Sequence, residues 1–325
     1  MPHLMNQTNL QRSFSLAEFL RSYGTVLAGI LIIIGFSVLN PDTFATWDNM
    51  INISRQISFL VIISIGATLV MSVSEFDLSI GAMASLAGVI AAKMAADQMP
   101  ILISIVAPLL ICLVIGYVNG WIITRFRVLS FITTLAMGTI LGGFTFWFTG
   151  GTTIFENIPD SFRYLGQTSW LGVPLLSIIM ILIVLLFWFV MAHTGLGRRL
   201  YAIGGNEMAS RVAGLNVRFN KNAAFALCAA LAALTGILMA SRLGSAHPTG
   251  GNGLFLSAYA AVFLGITVGK EGVPNIWGTF VGAAIIGILA NGLTIMEVPT
   301  FMQDVITGMI VIAAVIVQKL GRDAR

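Results

Sequence analysis

VPLLSIIMILIVLLFWFVMAHTGLGRRLYAIGGNEMASRVAGLNVRFNKN, residues Val173–Asn222, joins the most apolar part of the chain to a basic one. Val173–Ala192 carries no charged side chain and has the roughly 20 residues that a helix needs to cross a bilayer. Thr194–Asn222 is the longest polar interruption in the second half of the chain. It holds Arg198, Arg199, Arg211, Arg218 and Lys221 against a single acid, Glu207. A short capped helix is expected inside it. Asn206 suits the N-cap, because its side-chain oxygen can accept a free N–H of the first turn. Glu207 follows, where a negative charge favours the positive end of the helix. Gly214 suits the position after the C-cap, since it enters the left-handed region without a Cβ clash. Met208, Val212 and Leu215 would form a small apolar patch. Such a helix fits docking against another protein; the other reading is a loop helix lying on lipid headgroups.

Working outward, 57% of the residues are hydrophobic and 9% are charged, against roughly 25% charged in a soluble domain. The chain cannot cover a water-facing surface, and the expected fold is an all-α polytopic membrane protein. The net charge of +4 is no sign of nucleic-acid binding, because the basic residues fall in loops between apolar spans. Cys112 and Cys228 sit in apolar segments and read as packing residues rather than a disulfide framework. Met1–Glu18 is polar and lacks the apolar stretch of a cleaved signal peptide.

About ten spans are expected: Thr25–Leu39, Ile57–Val73, Leu78–Ala96, Ile101–Ile123, Leu129–Thr149, Val173–Ala192, Ala223–Leu243, Leu254–Val268, Pro274–Leu293 and Phe301–Gln318. Leu254–Val268 would rise only about 22 Å, which marks it as a broken helix or an incomplete span. With the N-terminus in the cytoplasm, the inner positions hold Arg12, Arg21, Arg125, Arg127, Arg198, Arg199, Arg211, Arg218, Lys221, Lys270, Lys319, Arg322 and Arg325. The outer positions hold only Arg55, Lys93, Arg163 and Arg242. This positive-inside bias places both termini inside. It gives a tail over 1–22, a transmembrane domain over 23–318 with an inner loop at 194–222, and a tail over 319–325. No tandem repeat is evident. Gly138/Gly142, Gly278/Gly282 and Gly287/Gly292 are spaced for close helix packing.

SEFDLSIG, Ser74–Gly81, separates the second and third spans. Asp77 can cap the third helix, and two acids without a neighbouring Lys or Arg are unusual in this chain. One reading is an inner-face cap; the other is a helix break lining a polar path. Glu75, Asp77, Ser79, Asn119, Phe255 and Ser257 form the candidate path set. AHPTGGNG, Ala246–Gly253, reads as a flexible external turn or as part of a gate. VGKEGVPN, Val268–Asn275, reads as a solvated inner turn, and Lys270 lacks the glycine spacing of a phosphate loop. The three histidines are scattered and no span carries a relay of acids. Asp304 lies close to an outer end.

TGLGRRLYAIGGNEMASRVAGLNV resembles the signature loop of the ribose-type permeases, the membrane subunits of monosaccharide ABC importers. Thr194, Gly197, Arg198, Tyr201, Ala202, Gly204, Gly205, Asn206, Ala209, Gly214 and Val217 carry the likeness. Asp77–Gly81, ITTLAMG at Ile132–Gly138, SRLGSAHPTGGNG at Ser241–Gly253 and Asn291–Leu293 also resemble that family, in the same order, over about residues 20–320. The chain departs from the family pattern at Glu75, where a glycine is common, and at Phe255–Ser257, where Glu-Leu-Asp is common. A further departure is Gly265–Ile266 and Lys270–Glu271, where paired glycines are common. The resemblance implies a permease without chemistry of its own, in a bacterial inner membrane, carrying a ribose-like sugar or related polyol. It also implies ATP and magnesium bound by separate ATP-binding subunits, a sugar-binding protein outside, and a second permease subunit, identical or not. Arg198, Asn206, Glu207, Ala209, Arg211 and Gly214 would contact the ATP-binding subunit. The rival readings are a permease for branched-chain amino acids or nucleosides, and a stand-alone ion-coupled transporter using Asp77 or Asp304.

Overall fold

Thr46 caps the second helix of the chain: its Oγ1 accepts the Asn49 N–H at 3.3 Å. The helix therefore starts ten residues before the expected Ile57 and runs over Trp47–Met71. The structure, a computed structural model, describes residues 16–268 and 272–323. The expectations for the N-terminal tail before Leu16, for Gly269–Glu271 and for the last two residues lie outside the described residues.

In chain order the helices are α1 (Leu16–Leu39), α2 (Trp47–Met71), α3 (Ile80–Ala96), α4 (Ile101–Phe126), α5 (Ser130–Thr149), α6 (Asp160–Gln167), α7 (Leu175–His193), α8 (Gly195–Gly205), α9 (Glu207–Val212), α10 (Val217–Leu243), α11 (Leu254–Ile266), α12 (Ile276–Ile295) and α13 (Thr300–Asp323). A hairpin of β1 (Ser169–Trp170) and β2 (Val173–Pro174) lies between α6 and α7. Each expected span falls on a helix. Six of them, α2, α4, α5, α7, α10 and α12, are long and apolar enough to cross a membrane. Four shorter apolar helices lie at Gly24–Leu39, Ile80–Ala96, Leu254–Ile266 and Thr300–Ile316.

α2 and α10 form the centre. Their middle turns are buried nearly all round, from Phe59 to Val70 and from Ala224 to Ser241. The outer helices expose apolar faces, for example Leu102, Phe131, Trp147 and Leu182. Lipid takes the place of water there, so no polar outer face is required. α10 packs against α2, α3 and α4, and α2 packs against α10, α11 and α12. α3 also packs on α4 and α5, as α11 packs on α12 and α13. The unit α2–α5 is thus repeated by α10–α13. Phe59 lies under Arg242 while Gly66 faces Cys228, so α2 and α10 run in opposite directions. This is an inverted repeat, a design that places helix breaks opposite one another near the midplane.

The two breaks meet. Residues 72–79 separate α2 from α3, and 244–253 separate α10 from α11. The Gly251 N–H donates to Ser85 Oγ at 2.9 Å, and a Cβ at Gly81 would stand 2.8 Å from the Gly251 oxygen. Ala246, Pro248 and Gly251 are therefore packed into the bundle, while His247, Gly250, Asn252 and Gly253 stay exposed. α11 starts at this interior junction, and its 13 residues rise only about 20 Å.

Candidate functional site

A non-helical stretch inside an apolar bundle must find partners for its backbone N–H groups, since each one left bare is costly. The α2–α3 break finds four in succession. Phe76 N–H donates to Ser130 Oγ at 3.2 Å, Asp77 N–H to the Tyr259 hydroxyl at 2.7 Å, and Leu78 N–H to Thr134 Oγ1 at 2.9 Å. Ser79 N–H donates to Asp77 Oδ1 at 2.9 Å. α5 supplies two of these hydroxyls and α11 the third, so the break ties three helices together.

Asp77 and Ser79 are fully buried, and so is Asn119. Ser79 Oγ donates to Asp77 Oδ1 at 2.5 Å and accepts from Asn119 Nδ2 at 3.2 Å. The N-cap of α3 is Ser79 rather than Asp77, and Asp77 holds the turn before the helix instead of its first-turn N–H groups. Asp77 Oδ2 and Asn119 Oδ1 are buried without a hydrogen-bond partner among the described residues. Asn119 lies seven residues before the end of α4, about 10 Å inside the bundle. The Phe255 ring meets the Tyr259 ring edge-on at 5.4 Å between centroids, and Ser257 is half-buried on the same helix.

Glu75 belongs elsewhere. Its Oε1 lies 2.5 Å from Lys221 Nζ, and Lys221 lies 2.7 Å from Glu207 Oε2. Arg211 pairs with the other Glu207 oxygen at 2.8 Å. The expectation that the two acids of Ser74–Gly81 lack a basic neighbour is corrected here for Glu75. Its partner is 146 positions away, and local sequence could not reveal it. Glu207 is satisfied within the chain. The Lys221 ammonium donating to it holds the Glu207 carboxyl below the usual carboxylate range, with Arg211 adding to the effect.

α9 has the expected ends. Asn206 Oδ1 accepts the Ala209 N–H at 2.9 Å. At the other end Leu215 N–H reaches the Ser210 oxygen and Gly214 N–H the Arg211 oxygen, with Gly214 at φ +81°. This pair of bonds is the Schellman arrangement. Met208, Val212, Ala209 and Arg198 are exposed, while Leu215 is half-buried. The preceding helix α8 was not expected, because four glycines lie within it. Two of them serve close approach: a Cβ at Gly197 or Gly204 would stand 2.1 Å from the Met191 or Ser72 oxygen. Leu200 and Ile203 bury its apolar side.

A cleft of about 510 Å³ opens at this end of the bundle, lined by Glu75, Thr124, Arg127, Glu207, Arg211 and Lys221 among others. The described residues hold no group of three or more His, Cys, Asp or Glu that could bind a metal. Tyr259 and Ser130 escaped the sequence reading, and Thr134 entered it only within Ile132–Gly138 and without a role, since lone hydroxyls in apolar spans carry no signal of their own.

The chain is 38% identical to the ribose import permease protein RbsC of Escherichia coli K12 over 317 residues, 97% of this chain and 98% of the relative. It is 37% identical to the Haemophilus influenzae protein of the same name over 96% of this chain and 97% of the relative. It is also 31% identical to the D-allose transport system permease protein AlsC of Escherichia coli, over 97% of both chains. No solved structure matches it. Residues 49–315 match the family described as branched-chain amino acid transport system / permease component, and with near full-length likeness to such permeases the chain belongs to that family.

Proposed function

We propose that this chain is the membrane subunit of an ATP-driven, binding-protein-dependent importer of a monosaccharide, ribose or a close relative. The observation that carries the reading is the likeness over nearly the whole chain to permeases named for ribose and allose. The broken-helix junction supports it: buried oxygens without partners, set among Tyr, Thr, Ser and Asn side chains, match the hydroxyl groups of a sugar. In this reading ten helices cross the bilayer with both termini inside. ATP and its magnesium are bound by separate subunits docked on the basic end. The exposed α9, capped at Asn206 and Gly214, is the contact with them, and a soluble sugar-binding protein delivers the ligand at the opposite end. ATP binding below then favours one arrangement of the bundle over the other, which requires different contacts in the two states.

The experiment is uptake into vesicles holding the permease with its ATP-binding subunits, with the binding protein outside. Ribose uptake should require both ATP and the binding protein. Uptake of branched-chain amino acids or nucleosides instead would replace the sugar reading. Uptake by the permease alone, driven by an ion gradient, would replace the ATP-driven one.

A further inference from the structure

We propose that Lys221 is a positioning residue for transport, a charged joint that fastens α9 to the break between α2 and α3. The inference rests on the importer reading above and extends it. Lys221 is the fifth residue of α10, and its side chain is only 9% exposed. A lysine at the basic end of such a bundle has every reason to reach for water. An enclosed ammonium is tolerated only when it is paired, and this one is paired twice, from two different elements. Glu75 approaches from the break and Glu207 from the first turn of α9. With Arg211 on Glu207, two bases and two acids balance.

The break has a second tie to the same unit. Ser74 Oγ donates to the Gly204 oxygen at 2.9 Å, and the Gly204 backbone rests on the Ser72 carbonyl. Ser74 itself sits at φ +61°, a conformation that a non-glycine residue holds only when its surroundings impose it. Glu75 is two residues from Asp77. Between them and just beyond, each backbone N–H is held by a hydroxyl of α5 or α11. A displacement of Glu75 therefore has no slack loop to absorb it. It passes to α5, α11 and the Asp77–Ser79–Asn119 cluster. The route from α9 to the buried cluster is short and made of ion pairs and hydrogen bonds.

The test measures ATP hydrolysed and sugar moved in the same reconstituted complex. Lys221→Met keeps the aliphatic length and removes the charge. It should raise the ATP used per sugar about tenfold or more, with uptake falling while hydrolysis persists. Lys221→Arg should restore most of the coupling. The double variant Lys221→Met with Glu75→Gln should be no worse than Lys221→Met alone, because both remove the same joint. If Lys221→Met does not assemble, Glu75→Gln and Glu207→Gln carry the test, since each leaves Lys221 one carboxylate; both should uncouple by a factor of a few. Wild-type ATP per sugar in these variants, or additive losses in the double variant, would overturn the joint and leave the importer reading standing. A wild-type complex that moves no sugar with ATP would overturn both.

Discussion

Gly236 is the most closely packed of the described glycines, and a single methyl there should loosen the bundle. A Cβ built on Gly236 would lie 1.8 Å from the Ala84 carbonyl oxygen, 2.6 Å from its carbon and 2.8 Å from its Cα. Ordinary contact begins near 3.4 Å, so α10 and α3 must part by about 1.6 Å (3.4 − 1.8) at the crossing. Every obstructing atom is backbone, so no side chain can swing aside. Gly88, which rests on the Gly236 carbonyl, would lose its contact too. Overpacking of this kind costs about 1–3 kcal/mol and sometimes more, and the rigid surroundings argue for the upper end. The helix preference of alanine over glycine returns up to about 1 kcal/mol. The expected net loss for Gly236→Ala is therefore about 2 kcal/mol, near a thirtyfold change in the folded/unfolded ratio and about 3 °C in the apparent melting temperature. Gly142→Ala is the control, because nothing lies within 4 Å of a Cβ there; it should be neutral or slightly stabilising. Thermal unfolding of both proteins in one detergent, scored by intrinsic fluorescence and by the monodisperse fraction after heating, makes the comparison. Equal melting temperatures for the two variants would refute the close-approach argument.

Four further outcomes are expected. Gly214→Val forces a β-branched residue to φ +81°, costing about 1–2 kcal/mol, and should impair assembly with the ATP-binding subunit, whereas Gly214→Asn should assemble; co-purification reads both. Asp77→Asn keeps an oxygen for the Ser79 N–H and should leave thermal stability within about 1 kcal/mol of wild type while reducing uptake, and normal uptake would make Asp77 a structural turn only. The Glu207 carboxyl is held below its ordinary value, so its stabilising pairs are complete above about pH 4.3 and are lost as pH falls through the lowered value; the stability difference between wild type and Glu207→Gln should shrink steadily below about pH 4.3 in a pH series of melting curves, and a difference that does not change with pH would refute the pairing. Single cysteines at Asn157 and Asn252 should react with an impermeant thiol reagent on intact cells while one at Arg211 stays shielded, and labelling at Arg211 would invert the proposed topology.

Helix positions were legible in the sequence because a bilayer imposes them locally. An apolar run of the right length between charged loops can satisfy its backbone only as a helix, so Val173–Ala192 announced α7 without reference to any other residue. Caps are equally local: Asn206, Glu207 and Gly214 act within one turn of their own helix, and the structure places their hydrogen bonds as the residue types imply. Packing is not local. Gly278 and Gly282 do meet the backbone of α11, as their spacing suggested, yet Gly142, with the same spacing from Gly138, faces open space. The four-residue interval shows that two glycines share a helix face but not what that face meets. The convergence of the two breaks at Gly81 and Gly251, the hydroxyls of Ser130, Thr134 and Tyr259 on one turn, and the Glu75–Lys221 pair all join residues more than fifty positions apart. Such contacts depend on how ten apolar helices share a bundle, and each of those helices is almost uniformly hydrophobic. The side chains that mark the helices as membrane-bound therefore carry little information about which faces meet. Only the tertiary structure, by pressing backbone against backbone, decided which polar atoms come together at the junction of the two breaks.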